Sequence, residues 1–328
     1  MIRRLALLRA KGTDPYENLA TERFLAETAL PDECILYLWQ NRRTVVIGYN
    51  QNVWRECDIA RLKADGIAAV RRLSGGGAVY HDLGNLNFTF AMTADNYDLA
   101  KQQTVLLEAC RSLGIDAQLS GRNDLTADGC KFSGNSFYRR NGRAFHNGTL
   151  LIDADLSAMG RYLTPSKAKL SAKNVDSVRS RVINLKELAP DLTVSAMEQA
   201  MEKAFEQVYG LPAEEKILAP EDLRRIEIFR KEFADPDWSF SANRPYDVTF
   251  EKRFSWGEIC ICLTVDKGAA ADAAVFSDTL DPELPETLAA SLKGKKLADG
   301  GIYKAAAACA IDPEKKADIL DMIKEQGL

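Results

Sequence analysis

The sequence predicts an α+β protein with two domains, a larger one over residues 1–245 and a smaller one over 246–328. Runs of apolar and β-branched residues alternate with helical patterns over about the first 240 residues, which indicates mixed helix and sheet. Turn-forming residues then cluster at 234–237 and at 243–245, and we place the domain boundary there. A chain of 328 residues is long enough for two such domains.

The larger predicted domain begins with short strands and helices. A helix pattern at 18–30 precedes two strands whose polar connection, residues 41–43, predicts a hairpin. The helix predicted at 99–113 ends at a glycine, which is a usual C-terminal signal. An Asn-Gly dipeptide at 141–142 is the strongest short hairpin signal in the chain. The strands are predicted at 5–8, 35–39, 44–47, 86–90 and twice within 131–152, with a further helix at 57–63.

Helices dominate the end of the larger domain, and a second sheet follows in the smaller one. The predicted helices lie at 195–209 and at 220–233, the second of them starting on a proline that suits a first helical turn. Residues 247–278 read as antiparallel strands, and 281–292 and 313–326 read as helices. The smaller domain is therefore also α+β.

Composition excludes several classes of function. The net charge is −4, so no global basic field exists to hold nucleic acid. The two histidines, His81 and His146, are too few for a zinc site built on three. The seven cysteines are odd in number and include no C-x-x-C pair, which favours a reducing compartment over a disulfide framework. No signal-peptide pattern or long apolar run occurs, so we expect a cytoplasmic protein.

The densest local signal is the run from Arg71 to Asp82, which contains Gly75, Gly76 and Gly77. A glycine-rich turn exposes backbone N–H groups that suit phosphate oxygens, and Arg72 adds a planar cation. The alternative is a flexible hairpin tip. The chain contains neither the P-loop motif nor the Rossmann fingerprint, so any nucleotide would bind at a different type of site.

Three further positions carry side chains suited to chemistry. Asn123 and Asp124 offer oxygens to a hard divalent cation, although Asn-Asp is also a common turn pair. Lys131 offers a point charge for a developing anion, or it is a solvated surface lysine. His146 lies beside an apolar run, where a histidine is more often a satisfied core residue than a catalyst.

Together these stretches resemble the lipoate–protein ligase family. The resemblance runs in order from about residue 14 to 190, and the smaller domain resembles that family's C-terminal accessory domain. Its fold would be a mixed or antiparallel sheet of the biotin and lipoate ligase type. The motifs are DPYENLA at 14–20, TVVIG at 44–48, RRLSGGGAVYHDLGNLNF at 71–88, GRNDL at 121–125, CKFSG at 130–134, FHNGTLL at 145–151 and SVRSRV at 177–182.

The resemblance implies a two-step reaction that uses ATP and Mg²⁺. The lipoate carboxylate attacks the α-phosphate of ATP, which gives lipoyl-adenylate and pyrophosphate. A lysine of a lipoyl domain then takes the lipoyl group and releases AMP. The implied acceptors are the E2 subunits of 2-oxoacid dehydrogenases, the glycine-cleavage H protein, or both, with no role for nucleic acid or membrane.

The resemblance also assigns roles to particular residues. Lys131 would be catalytic, because it would reach both the α-phosphate and the lipoyl carboxyl oxygen. Asn123 and Asp124 would lie near the metal or the phosphates. The implied ATP-binding residues are Arg72, Gly75, Gly76, Gly77, Ala78, Val79, Tyr80 and Lys131. The implied lipoate-binding residues are Lys131, Arg72, Ser74, His81, His146 and Gly148, and Asn85 would support the pocket.

The sequence departs from the family pattern at two positions, and three other functions remain to be considered. The chain has Asn147 where family members often carry a second histidine, and Cys130 precedes the lysine. An octanoyl- or lipoyl-transferase of the same fold needs a cysteine downstream of the His-Gly strand, whereas no cysteine lies between 131 and 259. The biotin–protein ligase signature is absent. A non-catalytic subunit that binds lipoyl domains is disfavoured by the intact Arg72 and Lys131.

Overall fold

The computed structural model describes residues 1–121, 123–164, 182–240 and 246–328. In this part of the chain the strands form one sheet of eight and two sheets of three. The strands are β1 Arg4–Arg9, β2 Glu33–Trp39, β3 Thr44–Ile47, β4 Ala68–Arg71, β5 Val79–His81, β6 Asn85–Thr93, β7 Ala117–Ser120, β8 Asp124–Ala127, β9 Cys130–Arg140, β10 Arg143–Leu151, β11 Ala213–Glu215, β12 Val248–Phe254, β13 Gly257–Asp266 and β14 Ala269–Ser277.

Helices cover the sheets on several sides. Within the described residues they are α1 Pro15–Thr28, α2 Val53–Glu56, α3 Ile59–Ala64, α4 Leu99–Ser112, α5 Leu156–Tyr162, α6 Val194–Tyr209, α7 Pro220–Ala234, α8 Pro236–Phe240, α9 Glu283–Leu292, α10 Gly301–Ala307 and α11 Pro313–Glu325. No helix in the described ranges is both long and apolar enough to cross a membrane. The cytoplasmic location stays a prediction.

The large sheet is mixed and lies between two helical layers. Its order is β11-β1-β2-β6-β10-β9-β8-β7, with β1 parallel to both of its neighbours and the other pairs antiparallel. Alternate residues of β2 enter opposite cores, because side chains of a strand alternate between faces. Helices α4 and α6 pack over one face, and α1 and α7 pack over the other.

Local signals explain where several helices begin and end. The side chain of Asp14 accepts a hydrogen bond from the Tyr16 amide and so caps α1, whose first residue is a proline. Helix α6 is capped in the same way by Thr193 and ends at Gly210, which adopts a left-handed conformation with φ of 70°. The helix predicted at 57–63 is observed as α3, which Asp58 caps, whereas the short helix α2 before it was not predicted.

One hairpin prediction is confirmed and another is wrong. Strands β9 and β10 form a hairpin at Asn141 and Gly142, both with positive φ as a tight two-residue turn requires. The strands at 35–39 and 44–47 do not pair with each other. Strand β2 pairs with β1 and β6, whereas β3 pairs with β4 and β5 in a separate small sheet. Both strands are buried along their whole length, so their partners are set by distant segments rather than by the connecting loop.

The C-terminal residues from 248 onward form their own sheet and core. Strands β12, β13 and β14 are an antiparallel meander, and α9, α10 and α11 pack against it around a separate apolar cluster. The predicted α+β class is thereby confirmed for both halves, although the sequence reading missed α10. Of the two turn-rich segments at the predicted boundary, 234–237 lies where α7 ends and α8 begins, whereas 243–245 lies outside the described residues. The motif at 177–182 also lies outside them, apart from its last residue. The division at 245 and 246 therefore stays a prediction.

Candidate active site

A cleft of about 160 Å³ opens where the small sheet β4-β3-β5 meets strands β9 and β10 of the large sheet. It brings together residues from motifs that lie far apart in the sequence. The lining residues are Leu19, Trp39, Val46, Arg72, Gly76, Gly77, Ala78, Val79, His81, Asn87, Asn123, Lys131, Gly134, Asn135, Ser136, Asn147, Gly148 and Thr149.

The glycine turn between β4 and β5 forms one wall of the cleft. Gly76 has a φ of 87°, a conformation that side chains disfavour. The buried guanidinium of Arg72 organises the turn: Nη2 donates to the carbonyl oxygens of Gly75 at 2.5 Å and Gly77 at 2.9 Å. Nη1 donates to the Val46 carbonyl at 3.3 Å. Arg72 therefore binds the turn itself, which the sequence reading did not foresee.

Arg72 is a buried cation that keeps further bonding capacity. Burial lowers the pKa of its guanidinium to about 10, and the charge of Glu22 opposes that effect. The side chain is still charged at neutral pH. Its Nε atom is buried and has no hydrogen-bond partner among the described residues. A buried donor without a partner costs free energy, so an anionic group of a ligand would be favoured there.

The C-terminal module contacts the glycine turn directly. The amide of Gly76 donates to the carbonyl oxygen of Thr279 at 2.9 Å. A side chain at Gly75 would meet the same oxygen, since an added Cβ would lie 2.5 Å from it. One of the amides predicted for phosphate is therefore bonded within the protein here. Nothing in the local sequence around Thr279 indicates this contact, because the two segments are about 200 residues apart.

Lys131 lies on β9 at the opposite wall, with its side chain 40% exposed. Its Nζ lies 2.7 Å from Oδ1 of Asp124 on the neighbouring strand β8. Its stem passes over Gly134, where an added Cβ would lie 3.2 Å from Nζ. The lysine thus has a defined position and a counter-charge at the cleft. Lys131 lines the cleft, whereas Asp124 lies beside it.

Asn123 and Asn135 hold the neighbouring strands together. The Asn123 side-chain amide donates to the Asn135 carbonyl at 2.6 Å, and the Asn135 side-chain amide donates to the Asn123 carbonyl at 2.8 Å. Both residues line the cleft. Gly148 lies close to this point, and an added Cβ there would lie 2.6 Å from the Phe88 ring and 2.8 Å from the Gly134 oxygen. Only glycine allows this close approach of β10 to β9.

The histidine predicted beside the glycine run lines the cleft and is buried. Asn41 lies at one ring nitrogen of His81, with its Nδ2 3.2 Å from Nδ1. The other nitrogen, Nε2, is buried without a partner among the described residues. Burial, helped by the charge of Arg72, lowers the pKa of His81 to about 3, so the ring is neutral at physiological pH.

His146 lies behind the cleft rather than in it. Its ring packs among Phe88, Phe90 and Phe137. Nε2 lies 2.8 Å from Oδ1 of Asn135, and Nδ1 lies 3.1 Å from the side-chain amide of Gln102. Burial lowers the pKa of this histidine to about 3. His146 therefore acts on the cleft through Asn135, as the core-residue alternative anticipated.

A buried polar network forms the floor of the cleft and includes the position where this chain departs from the family pattern. The Asn147 amide donates to Oε1 of Glu22 at 2.8 Å, and its oxygen accepts from Ser136 at 2.6 Å and from Ser74 at 3.3 Å. Thr89 also donates to Glu22, at 2.7 Å. Desolvation raises the pKa of Glu22 to about 7. The sequence reading missed Glu22, because a single acid inside a helix gives no sign of burial.

The remaining predicted residues are placed as follows. Ala78 and Val79 line the cleft, whereas Ser74 lies beneath it as part of the polar floor. The Tyr80 ring stacks on Tyr162 in a separate core, with their centroids 5.7 Å apart. Asn85 is buried and donates to Asn87, which lines the cleft.

Because His146 and Glu22 are buried, we predict that the stability lost on replacing each of them depends on pH in opposite directions. In His146→Gln, the loss of stability should be about 2 kcal/mol smaller at about pH 5 than at about pH 7.5. The unfolded state binds a proton below the ordinary histidine pKa, whereas the folded state stays neutral until about 3. The native histidine thus contributes stability above its unfolded pKa, and this contribution is lost as the pH falls. Urea unfolding at the two pH values measures the difference.

Glu22→Gln is the matched variant with the opposite sign. Its folded pKa is raised to about 7, so the native carboxyl contributes stability below its unfolded pKa and loses it as the pH rises through 7. The loss of stability in this variant should therefore be about 2 kcal/mol larger at about pH 5 than at about pH 7.5. A change of the same sign in both variants would contradict the burial of one of these groups.

The cleft combines features suited to a carboxylic acid and a phosphate. An apolar side formed by Leu19, Val46 and Trp39 suits a hydrocarbon chain. Lys131 and Arg72 both line the cleft and supply two cations. No cluster of three or more histidine, cysteine, aspartate or glutamate side chains suited to a metal occurs in the described ranges. The two cations make the cleft suited to anionic ligands.

Comparison with known proteins supports this reading. The description "Lipoyl protein ligase A/B catalytic domain" matches residues 14–206, and "Bacterial lipoate protein ligase C-terminus" matches residues 243–323. The chain is 41% identical to lipoate-protein ligase A of Psychrobacter cryohalolentis over 301 residues, which cover 89% of each chain.

Two solved structures are similar over most of the chain. One is P. falciparum LipL1 in complex with lipoate, with a TM-score of 0.82 and 28% identity over 98% of both chains. The other is a lipoate-protein ligase A bound with ATP, with a TM-score of 0.64 and 27% identity. That match covers 73% of this chain and 98% of the other.

Proposed function

The chain belongs to the lipoyl protein ligase A/B family, and from that premise we propose how the residues of the cleft divide the work of the reaction. The enzyme uses ATP to activate lipoate and ligates the lipoyl group to protein. The observation that carries the assignment of roles is that Lys131, on β9, and Arg72, directly after β4, line one cleft together with apolar residues.

Lys131 stabilises charge during adenylation. A carboxylate oxygen of lipoate bonds to the α-phosphorus of ATP while the bond to the β-phosphate oxygen breaks, and pyrophosphate leaves with that electron pair. Negative charge builds on the α-phosphate oxygens, and a fixed cation beside them lowers the barrier. The ion pair with Asp124, 2.7 Å long, keeps the ammonium group at this position before the substrates bind.

The glycine turn holds ATP. Arg72 fixes the carbonyl oxygens of Gly75 and Gly77, so the peptide groups of the turn keep one orientation. The backbone from Gly77 to Val79 lines the cleft and would follow the nucleotide. An added Cβ at Gly77 would meet nothing within 4 Å, which leaves room for a ligand against the backbone.

Lipoate lies with its hydrocarbon chain against Leu19, Val46 and Trp39 and with its carboxylate toward Lys131. Burying the hydrocarbon tail of lipoate there removes apolar area from water. This burial favours binding by about 25 cal/mol per Å² buried. His81 lines the same cleft, and its buried Nε2, which has no partner among the described residues, would bond to a polar atom of lipoate. In the second step the neutral amine of the acceptor lysine attacks the acyl carbon, and the bond from that carbon to the phosphate oxygen breaks. AMP leaves with that electron pair beside Lys131, and the nitrogen loses one proton to solvent as the amide forms.

Magnesium would be held by Asp124, helped by the side-chain oxygen of Asn123. The donors fit this ion in kind, because magnesium in proteins often takes one or two carboxylates and fills its other positions with phosphate oxygens and water. The ion would neutralise phosphate charge when bound. Asp124 also pairs with Lys131, so its two roles need separate readouts.

In Asp124→Asn, the Mg²⁺ concentration for half-maximal activity should rise about tenfold if this carboxylate holds the ion. Asparagine keeps the size of the side chain and a hydrogen-bond acceptor for Lys131. Asp128→Asn is the control, because Asp128 lies in the turn that follows strand β8 and forms no ion pair with Lys131 among the described residues. An unchanged Mg²⁺ requirement with a changed KM for ATP would leave Asp124 as a partner of Lys131 only.

The proposed acceptors are lipoyl domains of E2 subunits and the glycine-cleavage H protein. Incubation of each with lipoate, ATP and Mg²⁺, followed by intact-mass measurement, tests them separately. We expect one lipoyl group added per domain, and no addition after the acceptor lysine is replaced by arginine. Modification of neither acceptor, in a preparation that makes lipoyl-adenylate, would refute this choice of partners.

A further inference from the structure

A chain of hydrogen bonds leads from the core of the large sheet to His81 in the cleft. The Tyr37 hydroxyl donates to Oδ1 of Asn18 at 3.0 Å, and Nδ2 of Asn18 donates to Oδ1 of Asn41 at 2.9 Å. Nδ2 of Asn41 then lies 3.2 Å from Nδ1 of His81. All four side chains are buried, with exposed fractions of 0 to 3%.

One backbone atom fixes the donor and acceptor order in this series of hydrogen bonds. Nδ2 of Asn18 also donates to the carbonyl oxygen of Gln40 at 2.8 Å. A carbonyl oxygen only accepts, so the Asn18 amide cannot be turned around without placing two acceptors against each other. The Asn18 nitrogen in turn requires the oxygen of Asn41 beside it. The Asn41 nitrogen is then the group that faces His81.

An amide nitrogen only donates, so Nδ1 of His81 must accept and carries no proton. The ring is neutral, because burial and the neighbouring charge of Arg72 lower the pKa of His81 to about 3. A neutral imidazole has one proton, which is therefore on Nε2. That N–H is buried, lies in a residue that lines the cleft, and has no partner among the described residues.

We propose that Asn41, held by Asn18 and the Gln40 carbonyl, fixes the proton of His81 on Nε2 and makes this nitrogen a hydrogen-bond donor to bound lipoate. Asn41 is thus a positioning residue, since it acts through His81. The choice of ligand rests on the proposed function. The position of the proton does not, because it follows from the protein's own hydrogen bonds.

Nitrogen NMR of the whole protein with ¹⁵N-labelled histidine reads the proton position directly. The chain has two histidines, so loss of one set of signals in His81→Asn assigns the other set to His146. We expect the His81 Nδ1 signal at an unprotonated shift and the Nε2 signal at a protonated shift, without ligand. A proton on Nδ1, or a shift averaged between the two forms, would overturn the proposal.

The link to lipoate is tested with Asn41→Asp, in which an acceptor replaces the Nδ2 donor. We expect the KM for lipoate to rise at least about tenfold, while the KM for ATP and kcat stay within about threefold. Asn184→Asp makes the same chemical change away from the cleft, at a site where the amide bonds to the backbone of Ala154, and we expect normal kinetics from it. An unchanged KM for lipoate in Asn41→Asp would overturn the role in binding. A wild-type protein without ligase activity would refute the proposed function. The NMR experiment would still test the position of the His81 proton separately.

Discussion

Replacing Lys131 by alanine should lower the rate of adenylate formation by about 100- to 1000-fold while the fold stays intact. The ammonium group is the cation that we place at the α-phosphate, and its loss leaves the developing charge without that partner. The side chain is 40% exposed and its loss removes one ion pair, so stability should change by less than about 1 kcal/mol. Lipoate-dependent exchange of pyrophosphate into ATP measures the rate, and urea unfolding measures the stability.

Two variants separate the charge of Lys131 from its position. Lys131→Arg keeps a cation but changes its shape and reach, and we expect it to recover only part of the rate. Lys186→Ala removes an exposed lysine that pairs with Asp153 in the same manner, so it serves as the matched control. Normal exchange in Lys131→Ala, alongside normal exchange in this control, would remove Lys131 from its assigned role.

Replacing Arg72 by lysine should weaken ATP binding about tenfold or more and destabilise the protein by about 2–4 kcal/mol. Lysine keeps the charge but cannot bond to the carbonyl oxygens of Gly75, Gly77 and Val46 at the same time, as the guanidinium does. Buried carbonyl groups are then left without donors, and the glycine turn loses its fixed shape. The KM for ATP in the exchange reaction and the free energy of unfolding are the two readouts.

Arg71→Lys is the control for a general loss of stability. Arg71 is also buried, and its guanidinium bonds to backbone oxygens of the segment 48–51 and of residues 238 and 239. It does not line the cleft. We expect a similar destabilisation with a much smaller change in the KM for ATP. Equal changes in KM for the two variants would mean that Arg72 has no specific role at the glycine turn.

The sequence predicted best what local residues determine. The hairpin at Asn141 and Gly142 and the end of α4 just before Gly114 follow from residues adjacent to each element. The glycine turn was recognised from its own residues, and it does line a cleft with Lys131. Such features need no knowledge of distant segments.

Features that depend on distant pairing could not be predicted. The partners of β2 and β3 are set by strands elsewhere in the chain, which is why the hairpin predicted between them was wrong. The register of β10 decides that His146 faces the core while Asn147 faces the cleft. The hydrogen bond from Gly76 to Thr279 joins segments about 200 residues apart and has no local signature.

The central claim is that the cleft activates lipoate with ATP. Its most direct test is exchange of labelled pyrophosphate into ATP by the wild-type enzyme, with and without lipoate and without any acceptor protein. We predict exchange that requires lipoate and Mg²⁺ and that is lost when lipoate is omitted. No exchange with lipoate, combined with ATP-independent transfer of an octanoyl group from a carrier protein to a lipoyl domain, would contradict the account.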